Sequence, residues 1–179
     1  MTHTTTAPSA TAASATAASA GTAPAEAASA EVAEVTEVAE VQAAAVQAAA
    51  DTLVSAFAEG RLDDYFAAFA PEATFVFHST PVRLTSTSEY RALWQTWVDQ
   101  DDFRVLGCTS TSPLIQLLGS TAVFSHEVET VISTREGEET LRERESIVFR
   151  LTSGQATPDG EAPRRWLAVH EHLSPAPEA

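Results

Sequence analysis

Arg165-Trp166-Leu167-Ala168-Val169-His170-Glu171-His172-Leu173-Ser174, near the C-terminus, reads as a β-strand. Side chains alternate across a strand with period two. One face therefore carries Trp166, Ala168, His170 and His172, and the other Leu167, Val169, Glu171 and Leu173. A strand with one face in water shows a plain polar row on that face. Neither row here is plain, so both faces are occupied, and the segment is an interior strand of a curved sheet.

Working back from it, three long segments have strand character: Phe103–Leu118, Thr121–Thr134 and Glu139–Thr152. Gly119-Ser120 and Glu136-Gly137 are turn signals between them, and Ser153–Pro163 is a longer Gly/Pro loop. Short connections between long strands make an antiparallel meander. Pro113 predicts a bulge or break in the first segment. Ser174-Pro175-Ala176-Pro177 ends the structure.

Upstream lie helices. Ser86-Thr87-Ser88-Glu89 is a capping box. Behind it Tyr90, Leu93, Trp94, Trp97 and Val98 form an apolar stripe at helical spacing, read chiefly as core packing. Before that, Ala73–His78 is β-rich, Ser79-Thr80-Pro81 is a turn, and Val82–Leu84 returns as a short strand. Leu62–Phe69 is a short helix ended by Pro71. An earlier helix stops at Gly60 and carries the stripe Val46, Ala49, Ala50, Leu53, Val54 and Phe57. Ser29 can cap its start, and Glu31, Glu34, Glu37 and Glu40 alternate there with valines at period three. That stretch is a solvated extension or a weak oligomerisation seam. The expected organisation is a disordered Ala/Thr/Ser/Pro tail over 1–29, a Glu/Val helical extension over 30–41 and a domain over 42–175. Helices on one side of a strongly bent antiparallel sheet give an α+β, cone-shaped barrel with an open mouth.

Composition narrows the function. The net charge of −15 leaves no basic footprint for nucleic acid and disfavours anionic membranes. The single cysteine, Cys108, excludes an internal disulfide and a multi-Cys zinc site, and reads as a buried small hydrophobe. No apolar run reaches the roughly 18 residues of a membrane span, and no secretory signal is legible, so cytoplasmic residence is the default. Ten arginines and no lysine, with abundant alanine, suggest a GC-rich bacterial genome. There is no Gly-rich phosphate loop and no nucleophile elbow.

Three stretches resemble the nuclear transport factor 2-like superfamily, in its SnoaL-like, ketosteroid isomerase-like branch. They are Phe57–Tyr65 continuing through Phe69–Ala73, then Arg144–Arg150, then Trp166–Ser174, whose Trp…His-x-His-x-Ser is the most specific piece. The resemblance covers about residues 42–175. It implies a cone with a pocket and commonly a homodimer across the outer sheet face. It implies no single activity, since members include isomerases, cyclases, dehydratases and non-enzymatic association domains. Similar kinase-association domains place pocket arginines at positions matching Glu129, Ser146 and Leu173, which this chain does not reproduce. By that analogy the pocket face carries Val123, Ser125, Glu127 and Glu129, then Arg142, Arg144, Ser146 and Val148, then Leu167, Val169, Glu171 and Leu173. A bulge would swap these sets.

On that face Glu171 beside Arg144 is the best polar pair, either a proton-transfer site or a structural ion pair. Glu171 or Glu127 would be the base and Arg144 its charge partner, because a glutamate in an apolar cone has a raised pKa. Tyr65, Phe77, Trp94, Ser146 and Val169 would line the substrate. The usual ketosteroid isomerase dyad, a tyrosine with a protonated carboxylic acid plus a carboxylate base, has no evident place, with only Tyr65 and Tyr90 available. His126, His170 and His172 fall on the opposite set, where core or interface packing is preferred to a metal. No metal or cofactor is expected. The expected function is binding of a small apolar organic molecule, with proton transfer of isomerase, cyclase or hydratase type. A non-catalytic dimerisation module, resting on Phe124, Ile147, Phe149 and Trp166 as an association face, is the alternative.

Overall fold

The computed structural model describes residues 23–152, 156–157, 160–161 and 164–177, with side chains over 33–152 and 164–177. Residues 1–22 of the tail expected over 1–29 lie outside them, as does most of the Ser153–Pro163 loop. The chain divides into two units, one ending at Thr36 and the other beginning at Glu37.

Helix α1 spans Ala23–Ala58, so it starts before the Ser29 cap expected from sequence. Val35, Val38 and Val41 are exposed, and burial begins at Val46. From there Val46, Ala50, Leu53 and Ala56 form the buried stripe. The helix closes on a Schellman motif: Gly60 N–H donates to Phe57 and Arg61 N–H to Ala56, at 3.1 and 2.8 Å. Gly60 takes φ +67°, the left-handed conformation such a cap requires. By length and composition the Ala33–Ala58 portion is apolar enough to cross a membrane, contrary to the sequence expectation. Its alanines and valines raise the hydropathy, while its stripe is buried in the protein core.

Helix α2 is short, Leu62–Ala67, with Asp63 and Asp64 in its first turn, where negative charge suits the dipole. Strand β1 spans Phe69–Phe77 and takes in Pro71, which an edge strand tolerates. Val82–Leu84 does not return as a strand; only a single bridge joins Phe75 and Leu84. Helix α3 spans Thr87–Asp101. Ser86 Oγ accepts from Glu89 N–H at 3.1 Å, but the Glu89 carboxylate reaches back one residue further than a standard box, to Thr85 N–H at 2.6 Å.

The remaining strands are β2 (Arg104–Leu118), β3 (Thr121–Thr134), β4 (Gly137–Thr152), a two-residue pair β5 (Ala156–Thr157) and β6 (Gly160–Glu161), and β7 (Arg165–Pro175). The main sheet has order β1-β7-β4-β3-β2. The meander β2-β3-β4-β7 is antiparallel as the turn spacing predicts. Its fifth strand is not: β1 pairs with β7 in parallel, so the sheet is mixed and open rather than a wholly antiparallel barrel. β7 is thus interior, flanked by β1 and β4.

The three helices pack on one sheet face. Along β3, Ala122, Phe124, His126, Val128, Thr130 and Ile132 are buried, and the alternating residues face the other way. Ile147 and Phe149 of β4 and Trp166 and Ala168 of β7 join them in the core with Phe69, Phe75, Tyr90 and Trp94. This reverses the face assignment made from sequence. Phe124, Ile147, Phe149 and Trp166 are 0–8% exposed and form the core, so they cannot supply an association face.

Two bulges set the details. Val148 pairs with His170 and Phe149 with Ala168, so Val169 is an extra residue in β7. Trp166 and Ala168 point inward before it, and Glu171 and Leu173 after it. In β2 the register shifts between Thr111 and Leu114, at Pro113, with Ser112 at φ +53°.

Candidate functional site

Between the helices and the inner sheet face lies a cavity of about 250 Å³. Leu53 and Phe57 of α1, and Tyr90, Trp94 and Trp97 of α3, wall one side. Val128, Thr130 and Ile132 of β3 wall the other. Ring centroids of Trp94, Trp97 and Phe103 are 5.2–6.2 Å apart, a continuous aromatic surface. Cys108 also lines it; burial pushes its thiol up to about 11, so it is no thiolate nucleophile.

The polar floor is built from strand register. Glu171 of β7 lies opposite Ile147 of β4, which places Glu145 on the diagonal. His126 of β3 lies directly opposite Glu145. Tyr65, fully buried at the end of α2, aims its hydroxyl at Glu171, 3.2 and 3.4 Å from the two carboxyl oxygens. The Tyr90 hydroxyl is 3.5 Å from that of Tyr65. On the other side His126 Nε2 meets Glu145 Oε2 at 2.5 Å, and its Nδ1 meets Ser110 Oγ at 2.6 Å. The β2 bulge lies across from His126 and lets Ser110 reach it. The result is two short lines of side chains that meet at neighbouring carboxyls, Tyr90–Tyr65–Glu171 from the cavity and Glu145–His126–Ser110 to the exposed Ser110.

Glu171 is 2% exposed. Burial, then the charge of Glu145, then a hydrogen bond with Glu145 raise its pKa well above the ordinary carboxyl range, against a smaller lowering by Tyr65. Burial, with Glu171 as the next cause, likewise pushes the Tyr65 and Tyr90 phenols well up, keeping both as neutral donors. A tyrosine beside a carboxyl held toward its protonated form, without an evident place at the sequence level, is formed here by Tyr65 and Glu171. A third carboxyl, Glu143, also lines the cavity and is paired at 2.5 Å with His78.

Of the residues expected from sequence, Glu171, Tyr65, Phe77 and Trp94 line the cavity together. Glu127, Arg144, Ser146 and Val169 do not. Glu127 and Arg144 are exposed and face each other across β3 and β4 on the outer face, and Arg144 lies opposite Ser174 rather than near Glu171. The expected Glu171–Arg144 pair is therefore not formed. The cause is parity: the bulge at Val169 brings Glu171 in, while no bulge does the same for Arg144 or Glu127. Sequence reasoning passed over Glu145, Glu143, His126, Tyr90 and Trp97 as site residues. For Glu145, Glu143 and His126 the signal was the company of Phe124, Ile147 and Phe149 on the same faces, an apolar row that marks a core; Tyr90 and Trp97 share the apolar stripe of α3 with Trp94. His170 and His172 point outward, His170 Nδ1 lying 2.8 Å from Thr74 Oγ1, so they do not converge with His126.

The chain belongs to the SnoaL-like domain family, whose model matches residues 46–178. Solved structures of the same α+β cone fold include an NTF2-like protein of unknown function in nutrient uptake from Rhodospirillum rubrum, at 17% identity and a TM-score of 0.59, covering 73% of this chain and 98% of that one. A ketosteroid isomerase-like protein from Erwinia carotovora atroseptica has 13% identity and a TM-score of 0.56, over 75% of this chain and 96% of that one. The CaMKII hub of S. rosetta has 24% identity and a TM-score of 0.53, over 74% and 95%. No curated protein matches the chain in sequence. At these identities the likeness establishes the fold.

Proposed function

We propose that this protein binds a small, largely apolar organic molecule in the cavity and moves a proton to or from it through Glu171. The observation that carries the reading is a buried carboxyl, raised in pKa, held by Tyr65 at the floor of an aromatic cavity. A general acid or base works best when its pKa lies near the working pH, and burial with a like-charged neighbour tunes a glutamate that way. Tyr65 fixes the carboxyl that gives or takes the proton. Isomerisation, cyclisation and hydration can all proceed by moving a proton at carbon, and structural likeness to a ketosteroid isomerase-like protein agrees with that class.

A thermal-shift screen finds the ligand class: a compound at a hundred times its dissociation constant adds about 2.7 kcal/mol of stability. Each hit is then followed by NMR in deuterated buffer. Exchange at a ligand carbon should be accelerated, and Glu171→Gln should slow it by about a hundredfold or more. Exchange indifferent to Glu171→Gln and Tyr65→Phe would remove proton transfer from the reading.

Self-association through the outer sheet face is the second reading. Leu114 and Leu118 of edge strand β2 are 59% and 63% exposed and lie opposite Ser125 and Thr121, on the face away from the helices. Val123 and Val148 are directly paired on that same face. A structural neighbour is a kinase hub. Pocket and outer face are separate surfaces, so the two readings are compatible.

A further inference from the structure

The ionisable side chains around the cavity are all acids. Asp101, Glu143, Glu145 and Glu171 supply carboxyls, and Tyr65, Tyr90 and Cys108 supply neutral donors. Among the described residues no arginine or histidine lines it, and the chain has no lysine. His78 and His126 stand behind Glu143 and Glu145, outside the wall, each bonded to its carboxylate. The remaining wall is mostly apolar: Phe57, Trp94, Trp97 and Phe103 lie in edge and tilted contact, with Leu53, Val128, Ile132 and Leu173 beside them.

Resting on the small-molecule reading above, we infer that the cavity takes an organic amine: an apolar, ring-sized body carrying a basic nitrogen directed at Glu171 and Glu145. A carboxylate or phosphate ligand would enter a wall that offers it no cation and three glutamates. An ammonium finds the opposite. Aromatic faces attract cations by their quadrupole, and more strongly when water is excluded. A carboxylate gives a charge-assisted hydrogen bond. The net charge of −15 raises the local concentration of cations and repels anions during encounter.

Proton bookkeeping follows from the buried carboxyl. An ammonium reaching Glu171 displaces the proton that burial favours on its carboxyl; that proton passes to the buffer, and the ammonium takes its place as the positive partner. A free amine takes the same proton directly, and none is released. Besides Glu145 on β4, the groups facing Glu171 are Tyr65 on α2, Tyr90 on α3 and Glu143 on β4, with His126 on β3 reached through Glu145. None of them offers an ammonium a competing positive charge at the cavity wall.

The test uses the full chain and three compounds with one indole body and different charge: tryptamine, tryptophol and indoleacetate. Calorimetric titration near neutral pH should rank tryptamine at least about tenfold tighter than tryptophol, with indoleacetate weakest. Titrations in two buffers of different ionisation enthalpy should show protons released with tryptamine and none with tryptophol. Glu171→Gln should erase the amine preference while tryptophol binds within about threefold of the original. Tryptophol or indoleacetate binding as tightly as tryptamine overturns the amine class and leaves the cavity reading intact. Failure of all three to bind overturns both. The ranking is read on the unmodified protein, so it stands whether or not the variant folds.

Discussion

Glu171 is the residue whose chemistry depends most on its surroundings. Its carboxyl is neutral in the fold over a pH range where the unfolded chain has already lost the proton. Below the unfolded value, about 4.3, both states hold the proton and the group costs nothing. As pH rises above that toward the raised folded value, the unfolded state binds fewer protons, and stability falls by up to about 1.4 kcal/mol per pH unit. Above the folded value the loss is complete and levels off. Glu171→Gln removes the effect, so urea melts of the variant from about pH 5 to 8 should show a shallower decline than the parent. Parallel declines would mean that the proton is not held on this residue. His126 gives a second residue-scale prediction. Its side chain is fully buried against Glu145, so His126→Ala leaves a carboxylate without its partner and should cost about 3–5 kcal/mol. Replacing His126 and Glu145 together by leucine should restore most of that, and a double-mutant cycle in urea measures the difference.

At the scale of elements, β7 decides the site, and its reading from sequence was half complete. An interior strand with both faces occupied is found, between β1 and β4. Its strict alternation is not, because Val169 is an extra residue. A β-branched residue in a β-rich run carries no bulge signal, so sequence could only allow for a swap. In β2, by contrast, Pro113 cannot join a ladder, and the break there was legible. The parallel pairing of β1 with β7 was hidden for another reason: nothing local distinguishes a strand that pairs with its neighbour from one that crosses to a partner about a hundred residues away. Helices were easier to read. The Schellman end at Gly60 and the cap at Ser86 are local devices, and both are present. The same logic yields a prediction. Deleting Val169 would impose simple alternation, turning either Trp166 and Ala168 or Glu171 and Leu173 out of the core. The loss should exceed about 4 kcal/mol, read as a collapsed urea midpoint. Val169→Ala, which keeps the bulge, should cost little by comparison. Equal loss in both would mean that the Val169 side chain, and not the extra backbone unit, sets the register.

For the molecule as a whole, the sheet binds on one face and presents the other. Helices α1 to α3 use the inner face completely, for core and for cavity. The outer face mixes charged and apolar residues: Glu129 pairs with Arg142 at 2.9 Å, while toward the other end of the strands Val123 faces Val148 and Leu114 faces Ser125. Two surfaces therefore compete to explain any self-association, this face and the exposed valines Val35, Val38 and Val41 of α1. They can be separated because burial along α1 begins only at Val46 and the family match begins at the same residue. A chain starting at Gln42, which lacks Val35, Val38 and Val41, should keep the thermal midpoint and the ligand response of the full protein. If the sheet face associates, light scattering gives the same multiple of chain mass for both lengths, and Leu114→Asp reduces each to one chain. If the α1 valines associate, shortening alone lowers the mass and Leu114→Asp leaves it unchanged. A single-chain mass at micromolar concentration for the full protein would end both, and would leave the Glu171 cavity as the surface on which function rests.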